Sequence, residues 1–286
     1  MIIKEFSELN EELINSIRIL ENVCKEYDGL NGNMFLDNSL NFNKNIKNLF
    51  MAYDDDILVS VLYMFIPTKA EAEISAYTHP KYRKRGCFKS LIHRANEEVK
   101  RYDIKDLLFV CESKSKDGKE TVKNLKTAYD FTEYLLEFNR DSKILTPSEL
   151  LKIRKASFDD AKQIIDVCVD AFDDSYEVSQ SFTMKTLESK DREIYVTELN
   201  DVIIGSCSVS YDENDIFLFG FAITKENQGK GMGKETLIKL VEALCKDESK
   251  NIFIEVDSGN DIAFNLYKKC GFEIKTAFEY HRMNIE

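Results

Sequence analysis

A glycine-rich loop between a strand and a helix constrains the fold of this chain more than any other feature. Residues Gln228 to Gly233 read Gln-Gly-Lys-Gly-Met-Gly; they follow the apolar run Ile216 to Ile223 and precede an amphipathic stretch from Lys234 to Lys246. Glycines let backbone N–H groups approach a ligand without a Cβ in the way, and the N-terminus of the next helix carries a partial positive charge. The loop therefore predicts a site for an anionic ligand.

The spacing of this loop excludes two common nucleotide-binding motifs. A P-loop needs a glycine five positions before Gly233 and a hydroxyl after Lys234, whereas the chain has Gln228 and Glu235 there. A dinucleotide-binding motif needs its third glycine where Lys234 stands, within an early βαβ unit. Strands of antiparallel character come first here, so the anion is bound in some other way.

A second motif follows near the C-terminus. The strand-like run Ile252 to Val256 precedes Asn260 to Phe272, which reads Asn-Asp-Ile-Ala-Phe-Asn-Leu-Tyr-Lys-Lys-Cys-Gly-Phe. Together with the Gln-x-x-Gly-x-Gly loop, in the same order and distance, it resembles the C-terminal half of a domain of the GNAT superfamily of N-acetyltransferases. In that family the glycine turn holds the pyrophosphate of acetyl-CoA. The resemblance implies an α/β fold with a mixed, mostly antiparallel sheet flanked by helices.

Composition narrows the class of protein further. The chain has a globular balance, with 43% hydrophobic and 31% charged residues, and its 286 residues suffice for one large domain or two of ordinary size. No apolar run has the length of a transmembrane helix and the N-terminus lacks a signal peptide, so we expect a soluble, cytoplasmic protein with no membrane partner. The net charge of −12 disfavours a nucleic-acid partner; it favours a cationic amine substrate or simply keeps the protein soluble.

Cysteine and histidine usage predicts no metal site. The seven cysteines are scattered without a C-x-x-C pair, and there are only three histidines, so we expect reduced thiols and no zinc. Cys207 and Cys270 raise the question of an acyl-cysteine route. No histidine lies near either in sequence, and a cysteine beside Gly271 is more often part of the core.

The chain reads as two consecutive copies of one domain, residues 1–145 and 150–286. The linker is placed at Asp141 to Glu149, around Pro147. In the second copy, Asp159 is the predicted N-cap of a helix. Strands are predicted at Leu151–Lys155, Glu193–Leu199, Ile203–Tyr211, Asp215–Ile223 and Ile252–Val256, followed by a helix at Ile262–Lys269 and two closing strands.

The first copy repeats this order with a degenerate loop. In Arg83-Lys-Arg-Gly-Cys-Phe88, Arg83 and Gly86 occupy the first two motif positions and Phe88 replaces the final small residue. Phe88 either fills a groove that has lost its ligand or lies beside a loop that still binds CoA. The basic run Lys81 to Arg85 admits a nucleic-acid patch as an alternative. We expect no catalysis by this copy, because Lys126 stands where Tyr267 stands in the second.

The resemblance implies which residues of the second copy contact acetyl-CoA. Backbone groups of Gly220 to Ile223 would bind the pantetheine arm and the thioester oxygen. Asn260 would hydrogen-bond the same arm, or it is only the N-cap of the following helix. The full set of predicted cofactor-binding residues is Phe221, Ala222, Ile223, Gln228, Gly229, Lys230, Gly231, Met232, Gly233, Lys234, Asn260 and Tyr267.

The predicted catalytic residues are Tyr267 and Glu255. Tyr267 would protonate the departing thiolate, and Glu255 or a water chain would take the proton of the amine, which attacks the thioester directly in a ternary complex. Glu255 shares a strand face with Phe253 and Asp257. The acceptor is an amine of a small molecule or a peptide. A non-catalytic acyl-CoA-binding module is the alternative, and the oligomeric state is left open.

Overall fold

The computed structural model describes residues 1–142, 150–212 and 214–285. Within them the chain divides into two compact units, one formed by Met1–Glu133 with Thr276–Glu286 and the other by Tyr134–Lys275. Pro147 and most of the predicted linker lie outside the described residues.

The first unit is a mixed sheet with helices. Its strands are β1 (Ile2–Phe6), β2 (Leu49–Asp54), β3 (Ile57–Phe65), β4 (Glu71–Thr78), β5 (Asp106–Glu112) and the first part of β6 (Ala128–Phe138), and its helices are α1 (Glu11–Asp28), α2 (Cys87–Arg101) and α3 (Lys116–Asn124). Successive strands from β1 to β4 pair antiparallel, and β4 pairs parallel with β5.

The two faces of this sheet are covered by different helices. The apolar stripe of α1, Ile17, Leu20 and Cys24, is buried in one core cluster with alternate residues of β2 and β3 such as Met51 and Val61. The other face packs against α2 through Leu91, Ala95 and Val99. Alternation along the strands thus separates two hydrophobic cores.

The second unit repeats the arrangement. Its strands are β7 (Leu151–Lys155), β8 (Arg192–Leu199), β9 (Val202–Tyr211), β10 (Asp215–Ile223), β11 (Asn251–Asp257) and the first part of β12 (Phe272–Asn284), and its helices are α4 (Ala161–Phe172), α5 (Tyr176–Leu187), α6 (Met232–Leu244) and α7 (Asp261–Lys269). Strands β7 to β10 pair antiparallel, and β10 pairs parallel with β11. Each unit therefore has the predicted mixed, mostly antiparallel sheet flanked by helices.

Strands β6 and β12 each contribute residues to both units. Residues Phe278 to Asn284 of β12 pair antiparallel with β5 of the first unit. Conversely, Leu136 and Phe138 of β6 are buried in the core of the second unit. The sequence did not predict that β6 and β12 each belong partly to one unit and partly to the other. The division into copies 1–145 and 150–286 stays a prediction about the repeat.

Several local predictions need correction. Asp159 is not the helix cap: Ser157 and Asp160 form a capping box around the 3-10 turn Phe158–Asp160, and α4 begins after it. Helix α5 was not predicted, and the two closing strands are one continuous strand, β12. Among the described residues, no helix is both long enough and apolar enough to cross a membrane.

Candidate active site

In the second unit, the neighbouring strands β10 and β11 diverge after the last pair of their ladder. Their parallel ladder runs from the pair Asp215 and Asn251 to the pair Leu218 and Ile254. Both strands continue beyond the ladder, β10 to Ile223 and β11 to Asp257. The sheet thus has a gap beside the carboxyl ends of two parallel strands, the place where α/β folds bind ligands.

A β-bulge in β10 lies at the same level. The register between β10 and β9 shifts between Phe219 and Ala222, and Gly220 within the bulge has φ +58°. An extra residue at this point bends a strand and increases its twist. The buried thiol of Cys207 on β9 lies 3.7 Å from the carbonyl oxygen of Phe219 and donates to it. The sequence raised Cys207 only as a reduced core thiol or a disfavoured acyl carrier, because nothing local indicates this contact.

The glycine loop follows directly from this bent strand. The side chain of Gln228 donates from Nε2 to the carbonyl oxygen of Ile223 at 2.8 Å, which ties the start of the loop to the end of β10. Gly229 and Gly231 have φ +69° and +85°, in the left-handed region that favours glycine. Gly231 is the N-cap of α6 and has no capping side chain.

This cradle fits a diphosphate. A Cβ built on Gly229 or Gly231 would meet no atom of the described residues within 4 Å, so the side of the loop that lacks side chains is open among them. The first N–H groups of α6 have no partner within the helix, and the helix dipole favours an anion there. The loop residues Lys230 and Met232, together with Gly233 and Lys234, complete the predicted set, with two cations next to the donors.

Tyr267 lies on α7 on the helix-covered side of the gap. Its side chain is 6% exposed, and its ring centroid is 6.3 Å from that of Phe221 on β10. Burial, with smaller contributions from the thiols of Cys207 and Cys270, raises the pKa of the phenol above its usual value. The hydroxyl therefore stays protonated at neutral pH.

Asn260 is the N-cap of α7. Its Oδ1 accepts from the N–H of Ala263 at 3.0 Å, which is the bond expected of a capping asparagine. The residue is exposed. Because the cap uses only Oδ1, the Nδ2 amide is the group that would donate to a ligand.

Glu255 lies on the other face of β11. Ile254 and Val256 are buried in the core cluster that contains Tyr267, whereas Glu255 is exposed. Successive side chains of a strand point to opposite faces. The structure therefore places the two predicted catalytic residues on opposite sides of the sheet, at the level where β10 and β11 part.

The thiols near this site are held in the neutral form. Burial raises the pKa of Cys270 to about 11, although Lys234 acts in the opposite direction. Burial likewise raises the pKa of Cys207. A thiol in this state is a poor nucleophile. Among the described residues, no group of three or more His, Cys, Asp or Glu could hold a metal ion.

Part of the second unit matches a known family. Residues 160–272, which contain the gap, the loop, Asn260 and Tyr267, match the acetyltransferase (GNAT) family. This part of the chain is similar to the GNAT superfamily, whose members transfer acyl groups to amines.

Two relatives from Bacillus share part of the sequence. One, from Bacillus subtilis strain 168, carries a name that assigns it to ribosomal protein bS18-alanine N-acetylation; it is 26% identical over 122 residues, which are 42% of this chain and 80% of that protein. The other, from Bacillus subtilis subsp. natto, carries a name that assigns it to spermine N(1)-acetylation. It is 32% identical over 76 residues, 25% of this chain and only 50% of that protein.

Solved structures share the whole fold. A tandem GNAT protein from the clavulanic acid biosynthesis pathway matches with a TM-score of 0.74 at 13% identity, covering 100% of this chain and 98% of that one. A GCN5-related N-acetyltransferase from Sphaerobacter thermophilus matches with a TM-score of 0.73 at 15% identity, covering 95% and 92%. At these identities the likeness concerns the fold, and the tandem arrangement is consistent with it.

Proposed function

We propose that the second unit transfers an acetyl group from acetyl-CoA to a primary amine. The observation that carries this proposal is one of position. The loop with Gly229 and Gly231 follows the end of β10, beyond the ladder with β11, and the ring centroid of Tyr267 lies 6.3 Å from that of Phe221 on the same part of β10. The loop offers donors for a diphosphate, and Tyr267 offers a phenolic proton.

The loop and the bent strand bind acetyl-CoA, which supplies the thioester that is attacked. N–H groups of the loop and of the first turn of α6 hold the diphosphate, and Lys230 and Lys234 add positive charge. The bulge at Gly220 turns backbone groups of Phe221, Ala222 and Ile223 out of the ladder with β11. These groups hold the pantetheine arm, together with the Nδ2 amide of Asn260.

Tyr267 acts as the general acid. Its phenol is buried and its pKa is raised, so the proton is held at Oη throughout the neutral range. A neutral acid is also the form tolerated inside a core cluster, where an ionised group would lack solvation. The proton passes to the departing sulfur as the thioester bond breaks, and Tyr267 regains a proton from water as the products leave.

Glu255 or water takes the proton of the amine. Glu255 is exposed and lies on the face of β11 opposite Tyr267, so the base and the acid approach the reacting carbon from two sides of the sheet. The amine attacks the thioester carbon directly, because the raised pKa values of Cys207 and Cys270 disfavour a cysteine intermediate.

The acceptor is an amine of a small molecule or a peptide. The names of the two relatives mention spermine and an alanine of ribosomal protein bS18, and this chain matches 50% of the spermine-named protein and 80% of the other. The acidic balance of the chain, with a net charge of −12, suits a cationic acceptor.

The test is release of CoA thiol from acetyl-CoA with a panel of polyamines, amino acids and N-terminal peptides. Tyr267→Phe should lower kcat about 100-fold and leave acetyl-CoA affinity unchanged, because only the proton donor is lost. Tyr195→Phe is the matched control: this half-buried tyrosine packs against the same core but lies on β8, away from the gap, and the variant should keep full kcat.

Each outcome separates the alternatives. Tight acetyl-CoA binding with no turnover for any amine would leave a binding module rather than an enzyme. Equal kcat for the wild type and Tyr267→Phe across the pH range would remove the tyrosine from the mechanism. Failure to bind acetyl-CoA would refute the proposal altogether.

A further inference from the structure

The first unit contains a loop with the same backbone as the candidate active site. Arg83 stands where Gln228 stands in the second unit, and its Nε donates to the carbonyl oxygen of Thr78 at 3.1 Å. Gln228 makes the corresponding bond to Ile223, also five residues earlier in the chain. Both bonds tie the loop to the last residue of the preceding strand.

The left-handed residues of the two loops also coincide. Lys84 has φ +60° where Gly229 has +69°, and Gly86 has φ +83° where Gly231 has +85°. Gly86 is the N-cap of α2, as Gly231 is of α6. The first unit thus keeps the shape of an anion-binding turn.

The guanidinium of Arg83, however, is bound by carboxylates of its own chain. Its two terminal nitrogens donate to the two oxygens of Asp28 at 2.9 and 2.6 Å, and one of them donates to Asp117 at 2.8 Å. Asp28 is the last residue of α1, and Asp117 lies in the first turn of α3. The side chain of Tyr27 adds a cation–π contact at 5.4 Å. Charge-assisted bidentate bonds of this kind are the strong ones.

Phe88 places an aromatic side chain at the last position of the loop motif. It is half-buried and packs against the core beneath α2. In the second unit its place is taken by Gly233, where an added Cβ would lie 3.5 to 3.8 Å from Leu266, Ile223 and Phe221. The first loop thus adds an aromatic side chain at a position where the second loop has none and is packed against its neighbours.

The end of β5 in the first unit is bound by another segment of the chain. The ladder of β4 and β5 ends at Ile74 and Phe109. At the end of β5, buried Glu112 accepts from the N–H groups of Asn31 and Gly32 at 3.1 and 2.9 Å. The segment that follows α1 is thus held at the end of β5, where the second unit has exposed Asp257.

The same buried carboxylate holds β12. Glu112 also accepts from the Oγ1 of Thr276 at 2.7 Å. Gly32 approaches β12 so closely that an added Cβ would lie 2.4 Å from the ring of Phe278. The 31–32 segment is therefore fixed by hydrogen bonds and by close packing, and no side chain could be added at Gly32 without a shift.

We propose that the loop of the first unit is an internal clasp that binds no acetyl-CoA, so that each chain binds one molecule, in the second unit. This rests on the proposed function. Arg83 joins the C-terminal end of α1, the loop and α3, and the carboxylates of Asp28 and Asp117 repel an incoming diphosphate. Exposed Lys84 and Arg85 remain on the loop, so the inference rests on the engaged arginine and its two carboxylates rather than on net charge.

Titration calorimetry with acetyl-CoA tests the stoichiometry. The wild type should bind one equivalent, and Arg83→Met should still bind one, with affinity within about twofold. Its melting temperature should fall by about 4–8 °C, since two carboxylates lose their partner. Arg85→Met is the matched control: this exposed arginine only stacks over Tyr82, at 5.0 Å, and its loss should change neither quantity. Asp117→Asn, a milder variant at an exposed position, should also bind one equivalent.

Two results would overturn the clasp: two equivalents bound by the wild type, or loss of the single site in Arg83→Met or Asp117→Asn with the fold intact. Zero equivalents bound by the wild type would refute the proposed function instead. In that case the melting temperatures alone decide, and equal values for Arg83→Met and Arg85→Met would overturn the clasp.

Discussion

Gly231 and Gly86 provide a matched pair of substitutions that separates backbone strain from ligand binding. The two glycines have φ +85° and +83°, and each is the N-cap of the helix after its loop. A Cβ added to either would meet no atom within 4 Å. An alanine at either position therefore introduces the same conformational strain and no steric clash.

The cost of this strain follows from the left-handed backbone. Holding a residue with a Cβ in that region costs about 1–2 kcal/mol relative to glycine. For units of this size, that free energy corresponds to a fall in melting temperature of roughly 2–8 °C. Gly231→Ala and Gly86→Ala should therefore lower the melting temperature by similar amounts, as measured by differential scanning fluorimetry without ligand.

The two variants should differ only in binding. If a diphosphate lies on the open side of the second loop, the methyl group of Gly231→Ala meets it there. We expect acetyl-CoA affinity to fall about tenfold, equivalent to about 1.4 kcal/mol. Gly86→Ala should bind like the wild type. Calorimetric titration measures both; equal affinities for the two variants, whether reduced or intact, would refute the reasoning.

Three further predictions concern the second unit. Glu255→Gln should lower kcat/KM about 100-fold if this carboxylate takes the proton of the amine, measured by thiol release; an unchanged rate assigns that step to water. Asn260→Ala loses the bond to Ala263, so it should destabilise the unit by about 1 kcal/mol and also raise the KM for acetyl-CoA. Asn260→Asp keeps the helix cap but loses the amide donor, so it should raise only the KM for acetyl-CoA. A KM unchanged in both would make Asn260 a cap only. Arg154, bound to Asp160, lowers the pKa of that carboxyl, so Asp160→Asn should be destabilised by a constant amount between about pH 5 and 8. The difference in free energy of unfolding between the wild type and Asp160→Asn should shrink below about pH 4, because the wild type loses this stabilisation. Denaturant unfolding at a series of pH values measures it. A difference that persists at low pH contradicts the prediction.

The elements of both units were predictable because their patterns are local. Strands β7 and β10 have the predicted bounds, since alternation or an apolar run marks each of them. The turn between β8 and β9 is likewise local: Asn200 and Asp201 have positive φ, at 52° and 62°, a conformation that Asn and Asp tolerate. The glycine loop was found for the same reason: its residues are consecutive, and their conformation is set by their own chemistry.

Features that depend on residues distant in sequence leave no local pattern from which they could be predicted. Helix α5 buries Ser179, Thr183 and Thr186, so it lacks the apolar stripe by which a helix is recognised. The exchange of β6 and β12 follows from pairings between remote segments, such as Tyr280 with Val110. Alternation predicts that a strand exists but not which strand will be its neighbour.

The first position of the loop motif shows why a retained backbone does not retain a function. Gln228 and Arg83 both donate to the carbonyl oxygen at the end of the preceding strand, so either residue preserves the turn. A glutamine then has one N–H left, whereas an arginine has four more donors fixed in a plane. Arg83 is only partly exposed, with 16% of its side chain accessible, so these donors need acceptors within the protein or on a ligand. In the first unit Asp28 and Asp117 provide them, 55 and 34 residues away in sequence. The choice between a ligand-binding turn and a clasp thus lies in carboxylates outside the motif, and the motif alone could not reveal it.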